Sequence, residues 1–515
     1  MFAARLQPDE GSYSALIGVF AQRGDAAGAR HWLQRMEDSA VTPSVIAFSR
    51  AVDACAKAGQ ADQAEAVFED MLRRRLRPSV ISYTSLIDAF AKAGRSALAV
   101  EWLERMLAAT VQPDVASFNA AMSGCARIGD SAGISRCLSS MTASRLAPDI
   151  VSYNIAIDGC TQGGDVAGAI SYLRAMASAG ERPDVVSFTA VISGCARAGD
   201  PEQAAHWLGE LVREGLKVDT ICINSVIDSF AKAGKMDKAV SWIRNMRDMS
   251  IEPEESTFNT AISGFAARGD MASAADWLQR LRDAGLRPNL RSHNAMLNGH
   301  ARLGRPADAV AWLDVMAKDV VAPDVVSFNS LLKAFSKVGD MEQATTWLRY
   351  MRRVGVVPNV ISYTTLVGLA GKSFDAAAAE AWIEEMKSCG LAPDAVTFTA
   401  WISAYARVGD AEGAMEVVLR HMVDARVRPS LEAWTAAISA CAKAGPRRRE
   451  EAELLLREMV RSKVAPNHFT HKALETSLGS ARREALCRDL GLGRPVAERT
   501  AGPGSHVREA AKKKK

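Results

Sequence analysis

Three things are scarce in the 515-residue chain, and each scarcity removes a class of explanation. No run approaches the roughly 18 uninterrupted apolar residues of a membrane-crossing helix, so no membrane partner is expected. No charge sign dominates: 63 Lys and Arg stand against 59 Asp and Glu, a net of +4. That balance argues neither for nor against a polyanionic ligand. Cysteine is sparse, nine residues spread thinly with no C-x-x-C pair. An odd, scattered set makes neither a disulfide framework nor a zinc ribbon and fits a reducing compartment. No metal and no cofactor is therefore expected. What is present is a core-forming composition, 48% hydrophobic and 24% charged, whose length would suggest about three or four domains.

Self-comparison replaces that count with a period. RPSVISYTSLIDAFAKAG, APDIVSYNIAIDGCTQGG, RPDVVSFTAVISGCARAG and APDVVSFNSLLKAFSKVG are one segment recurring. Prolines fall at Pro43, Pro78, Pro113, Pro148 and Pro183, then at Pro253, Pro288, Pro323, Pro358 and Pro393, every 35 residues with Val218 in the one gap. A glycine keeps the same step from Gly24 to Gly339. Thirteen repeats result, spanning residues 10–467. The last two carry insertions, one residue near Val417 and two at Pro446–Arg449. Residues 1–9 read as the remnant of a preceding repeat, and 468–515 as a degenerate capping helix followed by a disordered basic tail.

Each repeat reads as two helices. In the repeat 325–359, Phe328, Leu331, Leu332 and Phe335 fall at i, i+3, i+4 and i+7. After the turn at Gly339-Asp340, Ala344, Trp347, Leu348 and Met351 repeat that spacing, and Pro358 ends it. Two helices of about a dozen residues cannot bury both stripes alone, so neighbours must stack. The expected fold is all-α, a right-handed α-solenoid (superhelix) of about 26 helices.

A 35-residue unit with the motif V-V-S-[YF]-[NT]-x-x-I-x-x-[CF]-[AS]-[KR]-x-G and the ending x-P-[DN] resembles the pentatricopeptide repeat family, over residues 10–467. The tetratricopeptide repeat differs in period and in signature. The resemblance implies sequence-specific binding of single-stranded RNA of about thirteen nucleotides, each repeat reading one base with two or three side chains. It implies a monomer in post-transcriptional RNA metabolism (transcript stabilisation, processing, editing or translation), with RNA-processing proteins as possible partners and a mitochondrion or plastid as its address.

The resemblance also assigns roles. The base would be chosen by the fifth residue of each repeat together with its last. The fifth residues are Ser14, Ser49, Thr84, Asn119, Asn154, Thr189, Asn224, Asn259, Asn294, Asn329, Thr364, Thr399 and Thr435. The last residues, in the same order, are Ser44, Ser79, Asp114, Asp149, Asp184, Asp219, Glu254, Asn289, Asp324, Asn359, Asp394, Ser430 and Asn467. By the family's pairing rules Thr with Asp resembles a G reader and Asn with Asp a U reader. Asn with Asn resembles a pyrimidine reader favouring C, and Thr with Asn an A reader. With the first repeat at the RNA 5′ end, the implied target is N-N-G-U-U-G-N-Y-U-Y-G-N-A. The pairs Ser14/Ser44, Ser49/Ser79, Asn224/Glu254 and Thr399/Ser430 depart from the familiar combinations and leave their letters open.

Two further columns follow. Lys57, Lys92, Arg127, Arg197, Lys232, Arg302, Lys337, Lys372, Arg407 and Lys443 stand just before the turn, where the resemblance implies RNA phosphate. The second residues Ile46, Ile81, Val151, Val186, Ile221, Val326, Ile361 and Val396 resemble the apolar clamps on each base. Gly11, Ala116, Ser256, Arg291 and Glu432 break that column, so clamping should be weaker there.

Each column has a plainer reading. Asp, Asn and Ser after proline are preferred helix N-caps, which would explain every last residue but Glu254. Lys and Arg at a helix end suit the dipole. The fifth position is harder to explain by folding. Asn, Thr and Ser inside a helix each cost roughly half a kcal/mol against Ala, yet all thirteen repeats carry one. Such short donor–acceptor groups suit the Watson–Crick edge of a base.

Other conspicuous residues point to packing. Cys55, Cys125, Cys160, Cys195 and Cys441 share a position that Phe90, Phe230, Phe265 and Phe335 fill elsewhere, and read as core. Trp32, Trp102, Trp207, Trp242, Trp277, Trp312, Trp347 and Trp382 share one second-helix position and read as contacts between repeats. His468 and His471, a lone H-x-x-H, suit a surface helix. Residues 468–515 are too short for a catalytic domain, so no enzyme activity and no catalytic residues are expected. This tail holds 11 Lys and Arg against 5 Asp and Glu, which leaves the first 467 residues at −2. Lys512–Lys515 would add non-specific phosphate affinity. The chain begins within the repeat register, with no room for a transit peptide. Either it is truncated or the cytoplasm or nucleus is its location. The rival reading is a protein-interaction scaffold that binds no RNA.

Overall fold

The computed structural model describes residues 8–490 and Leu492. Residues 1–7 of the expected remnant, and the basic tail with Lys512–Lys515, lie outside the described residues. Among the described residues there is no strand, and the fold is an all-α helical repeat solenoid. It divides into two compact stacks, Met1–Gly264 and Phe265–Lys515, each built by first helices packing on first helices of the next repeat.

One repeat shows why the residues fold as they do. Asp324 accepts a hydrogen bond from the Ser327 N–H at 2.9 Å, and the Ser327 hydroxyl accepts one from the Asp324 N–H at 3.2 Å. This reciprocal box starts the helix Val325–Val338. Gly339 (φ 91°) then turns the chain in the left-handed region that favours glycine. Asp340 caps the second helix, Met341–Arg353, through the Gln343 N–H. Phe328, Leu331, Leu332, Ala344, Leu348 and Met351 are buried, the two stripes read from the sequence. The cysteines at the Phe position are buried too, and Phe68 meets Trp102 edge-on at 5.3 Å. Arg105 and Arg280 lie over the outer faces of Trp102 and Trp277, so these indoles serve packing.

The insertions are absorbed locally. The extra residue near Val417 becomes a π-helical turn, Val417–His421, inside the helix that starts at Ala411. The two extra residues become a 3₁₀ turn, Pro446–Arg448. Past residue 467 the register continues for another first helix, His468–Leu478, capped by Asn467 and boxed by Thr470. Here the expectation of a surface H-x-x-H is corrected: His468 is exposed, but His471 is only 7% exposed. It stands where other repeats place Phe or Tyr, and burial lowers its pKa.

A second left-handed position ends each second helix. Gly180, Gly215, Gly285, Gly355 and Gly390 fill it in five repeats, but Val320 occupies it at φ 58° and is 90% exposed. A β-branched residue there is strained and makes no compensating contact. Val320→Gly should therefore raise stability by about 1 kcal/mol, visible as a higher midpoint of urea unfolding.

Candidate nucleic-acid interface

Within each stack the expected reading residues lie on or at the start of the first helices. The last residue of a repeat caps the next first helix. The side chains of Ser44, Asp114, Asp219, Asp394 and Asn467 each accept from the N–H three residues on, at 2.8–3.5 Å. Asp149, Asp184, Asp324 and Asn359 do the same, and through that cap they also meet the fifth residue behind them. Capping and the assigned reading position are therefore one oxygen in two settings.

Asn119 shows the arrangement. Its Nδ2 donates to Asp149 Oδ1 at 3.4 Å, and its Oδ1 accepts from the Ser152 hydroxyl at 2.7 Å. The same triangle joins Asn154 to Asp184 and Ser187, Asn294 to Asp324 and Ser327, and Asn329 to Asn359 and Ser362. A carboxylate only accepts, so it fixes which end of the amide faces it. Among the described residues, one N–H of each amide is left without a partner. Burial works against ionisation of Asp149, Asp184 and Asp324. The backbone, hydroxyl and amide hydrogen bonds they accept outweigh it and hold all three below the usual carboxylate range.

The threonines end with the opposite polarity. Thr84 Oγ1 lies 2.9 Å from the Val80 carbonyl four residues back and 2.6 Å from Ser117 Oγ, which in turn reaches Asp114. Whichever oxygen takes it, the single hydroxyl proton is spent inside the chain, and lone pairs remain for a ligand. Thr189, Thr364 and Thr399 hold the same bond to Val185, Val360 and Ala395. Asn sites thus present a spare donor, and Thr sites an acceptor.

The irregular pairs differ physically. The Asn224 amide goes to Ser256 Oγ at 2.9 Å rather than to Glu254. Ser49 spends its hydroxyl on Val45 and Ser82 and is 7% exposed. Ser14 and Asn259 are buried as well, whereas Thr84, Asn119, Asn154, Thr189, Asn224, Asn294, Asn329, Thr364, Thr399 and Thr435 are half-buried.

The other two columns flank the fifth residues. Ile46, Ile81, Val151, Val186, Ile221, Val326, Ile361 and Val396 are all 54–68% exposed. So regular a row of exposed β-branched residues has no folding purpose. A hollow of about 500 Å³ brings the columns together: Asn154, Val186, Thr189, Arg197 and Asp219 line it, with Asp158. The cations ahead of the turn are not all free, because Lys57, Lys92 and Lys232 pair with Asp53, Asp88 and Asp228 at 2.6–2.7 Å. These aspartates, four residues earlier on the same helices, belong to the face and were absent from the sequence reading. The i, i+4 spacing to each lysine was their signal.

The family model described as "PPR repeat family" matches residues 43–92, 78–127, 148–197, 218–267, 323–371 and 358–407. "Pentatricopeptide repeat domain" matches 1–58 and 103–162, and "PPR repeat" matches 186–216, 256–286, 291–319 and 396–420. No curated protein matches the chain. Among solved structures it is similar to the pentatricopeptide repeat protein PPR10 from maize. The TM-score is 0.69 at 23% identity, covering 96% of this chain and 75% of that one. It is also similar to PPR10 in complex with an 18-nucleotide psaJ RNA element, with a TM-score of 0.55 at 22% identity over 96% and 76%. At these identities the likeness is one of fold. With family models matching most of residues 1–420, the chain belongs to the pentatricopeptide repeat family.

Proposed function

We propose that the chain binds single-stranded RNA sequence-specifically, one base per repeat over residues 10–467, as an adaptor in post-transcriptional RNA metabolism with no catalysis of its own. The observation that carries this reading is the reader triangle. Fifth residues are held by the next cap with an unspent N–H or lone pair, beside an exposed Ile or Val at the second position. A base slipped between such side chains would be clamped by apolar contact and sorted by hydrogen-bond polarity. Solved PPR10 in complex with an RNA element supports the partner class. A mitochondrial or plastid address is proposed on the same family grounds.

The test is fluorescence anisotropy with the 13-mer N-N-G-U-U-G-N-Y-U-Y-G-N-A against the same RNA with its three G positions changed to C. At about 1 kcal/mol per lost contact, the changed RNA should bind at least 100-fold more weakly. Equal affinities would sink the reading.

A further inference from the structure

The ninth and thirteenth residues of each first helix lie one turn apart on the reading face, as the shared hollow around Asn154, Asp158, Ser193 and Arg197 shows. Their charges differ sharply between the two stacks. In the first seven repeats the cations Lys57, Lys92, Arg127, Arg197 and Lys232 are accompanied by Asp53, Asp88, Asp158 and Asp228, a net of +1. The three lysines among them are ion-paired with the aspartate four residues earlier. Arg197 is spent on Gln162 and Thr161, and the Gln162 amide reaches Asp158 at 3.4 Å.

From the ninth repeat on, the ninth position holds Asn298, Lys333, Gly368, Ser403 and Ser439, with no acid. Arg302, Lys333, Lys337, Lys372, Arg407 and Lys443 then give +6 over five repeats. All six are exposed, and among the described residues none forms an ion pair. Lys337 reaches the backbone carbonyl of Arg302, and Lys372 the carbonyl and hydroxyl of Ser336, all uncharged partners. Exposed i, i+4 pairs contribute almost nothing to stability, so folding does not explain an acid row in one stack that is missing from the other. Electrostatics toward a polyanion does, since an ion-paired lysine has little charge left to displace a counterion from phosphate.

We infer that the C-terminal stack is the phosphate grip of the RNA site, while the N-terminal stack reads bases over an electrostatically neutral rim. This rests on the RNA-binding reading above. Salt-dependent affinity then belongs to Arg302, Lys333, Lys337, Lys372, Arg407 and Lys443, and Asp53, Asp88 and Asp228 hold that term down in the other stack. Contact with this grip would come first and from any sequence, and the neutral stack would then test the bases.

The test is the slope of log affinity against log salt for the full chain with the 13-mer. Changing Arg302, Lys333, Lys337, Lys372, Arg407 and Lys443 together to Gln should lower the slope by about 4, at roughly 0.7 per lost phosphate contact. Lys57→Gln, Lys92→Gln and Lys232→Gln together should lower it by less than about 1. The converse variant, Asp53→Asn, Asp88→Asn and Asp228→Asn, frees three lysines and should raise the slope by about 2, a gain that misfolding cannot imitate. Equal losses from the two Gln sets, or no gain from the Asn set, would overturn the inference. A wild-type chain that binds neither this RNA nor a 13-nucleotide poly(U) at low salt would instead overturn the RNA-binding reading itself.

Discussion

On the proposed reading, Thr84→Asn should turn a G-preferring third position into a U-preferring one. Thr84 spends its proton inside the chain and offers lone pairs, which suit the N–H groups on the G edge. Asp114 and Ser117 already stand around it as Asp149 and Ser152 stand around Asn119. An amide placed there should adopt the same pose, Oδ1 toward the hydroxyl and Nδ2 toward the carboxylate, leaving an N–H for a uracil carbonyl. Losing one discriminating contact and gaining another, each worth about 1–2 kcal/mol at the lower end for a base contact, gives a reversal of about 2–4 kcal/mol. In the ratio of affinities for the G and U forms of the 13-mer, that is roughly 30- to 700-fold. Thr189→Asn supplies the control. The residue that should donate to its amide is Cys222, a weak donor whose thiol burial pushes up to about 12. Its switch should be smaller. If both variants keep preferring G, hydrogen-bond polarity is not what selects the base.

Much of this site was legible because the repeat multiplies a weak signal. One Asn after Phe or Tyr means nothing; the same residue class at thirteen fifth positions does. The period also exposed the caps, the turn glycines and the tryptophan packing, since each follows from local chemistry a few residues wide. What stayed hidden depends on neighbours a repeat away. Ser14, Ser49 and Asn259 share the reader class with Asn119 yet are buried, because their accessibility is set by the side chains of adjacent repeats. The lysine column is uniform in sequence, but three of its members are paired with the aspartates four residues earlier. His471 looked like a surface residue because histidine is a rare occupant of a Phe or Tyr position. Only the continued register, with Asn467 and Thr470 forming a cap box, places it in the core.

The turn glycines, uniform in sequence, should divide sharply on substitution. Gly59, Gly94, Gly164, Gly199 and Gly234 all have positive φ, and a Cβ added at any of them meets nothing within 4 Å. Alanine at Gly94 should therefore cost only the left-handed penalty, about 1 kcal/mol. Gly129 has the same backbone (φ 70°), but a Cβ there would come 2.7 Å from both the Cα and the N of Gly163 in the next repeat. The obstacle is backbone, which cannot rotate away as a side-chain tip can. Gly163 is equally confined, since its own added Cβ would lie 2.4 Å from the Gly129 carbonyl oxygen. Gly129→Ala must push apart the C-terminal ends of two first helices whose N-terminal turns carry the contacts of Asn119 with Asp149 and Ser152. Overpacking of this kind adds about 1–3 kcal/mol, for a total of about 2–4 kcal/mol. Stability is only part of the expected effect: if the fourth reader depends on this close approach, Gly129→Ala should also lose selectivity for U at the fourth base, while Gly94→Ala keeps its G at the third. Urea unfolding of the two variants, read beside anisotropy on RNAs changed at those two bases, separates the outcomes. Equal destabilisation by the two alanines would show that the close approach of Gly129 and Gly163 does not constrain the stack.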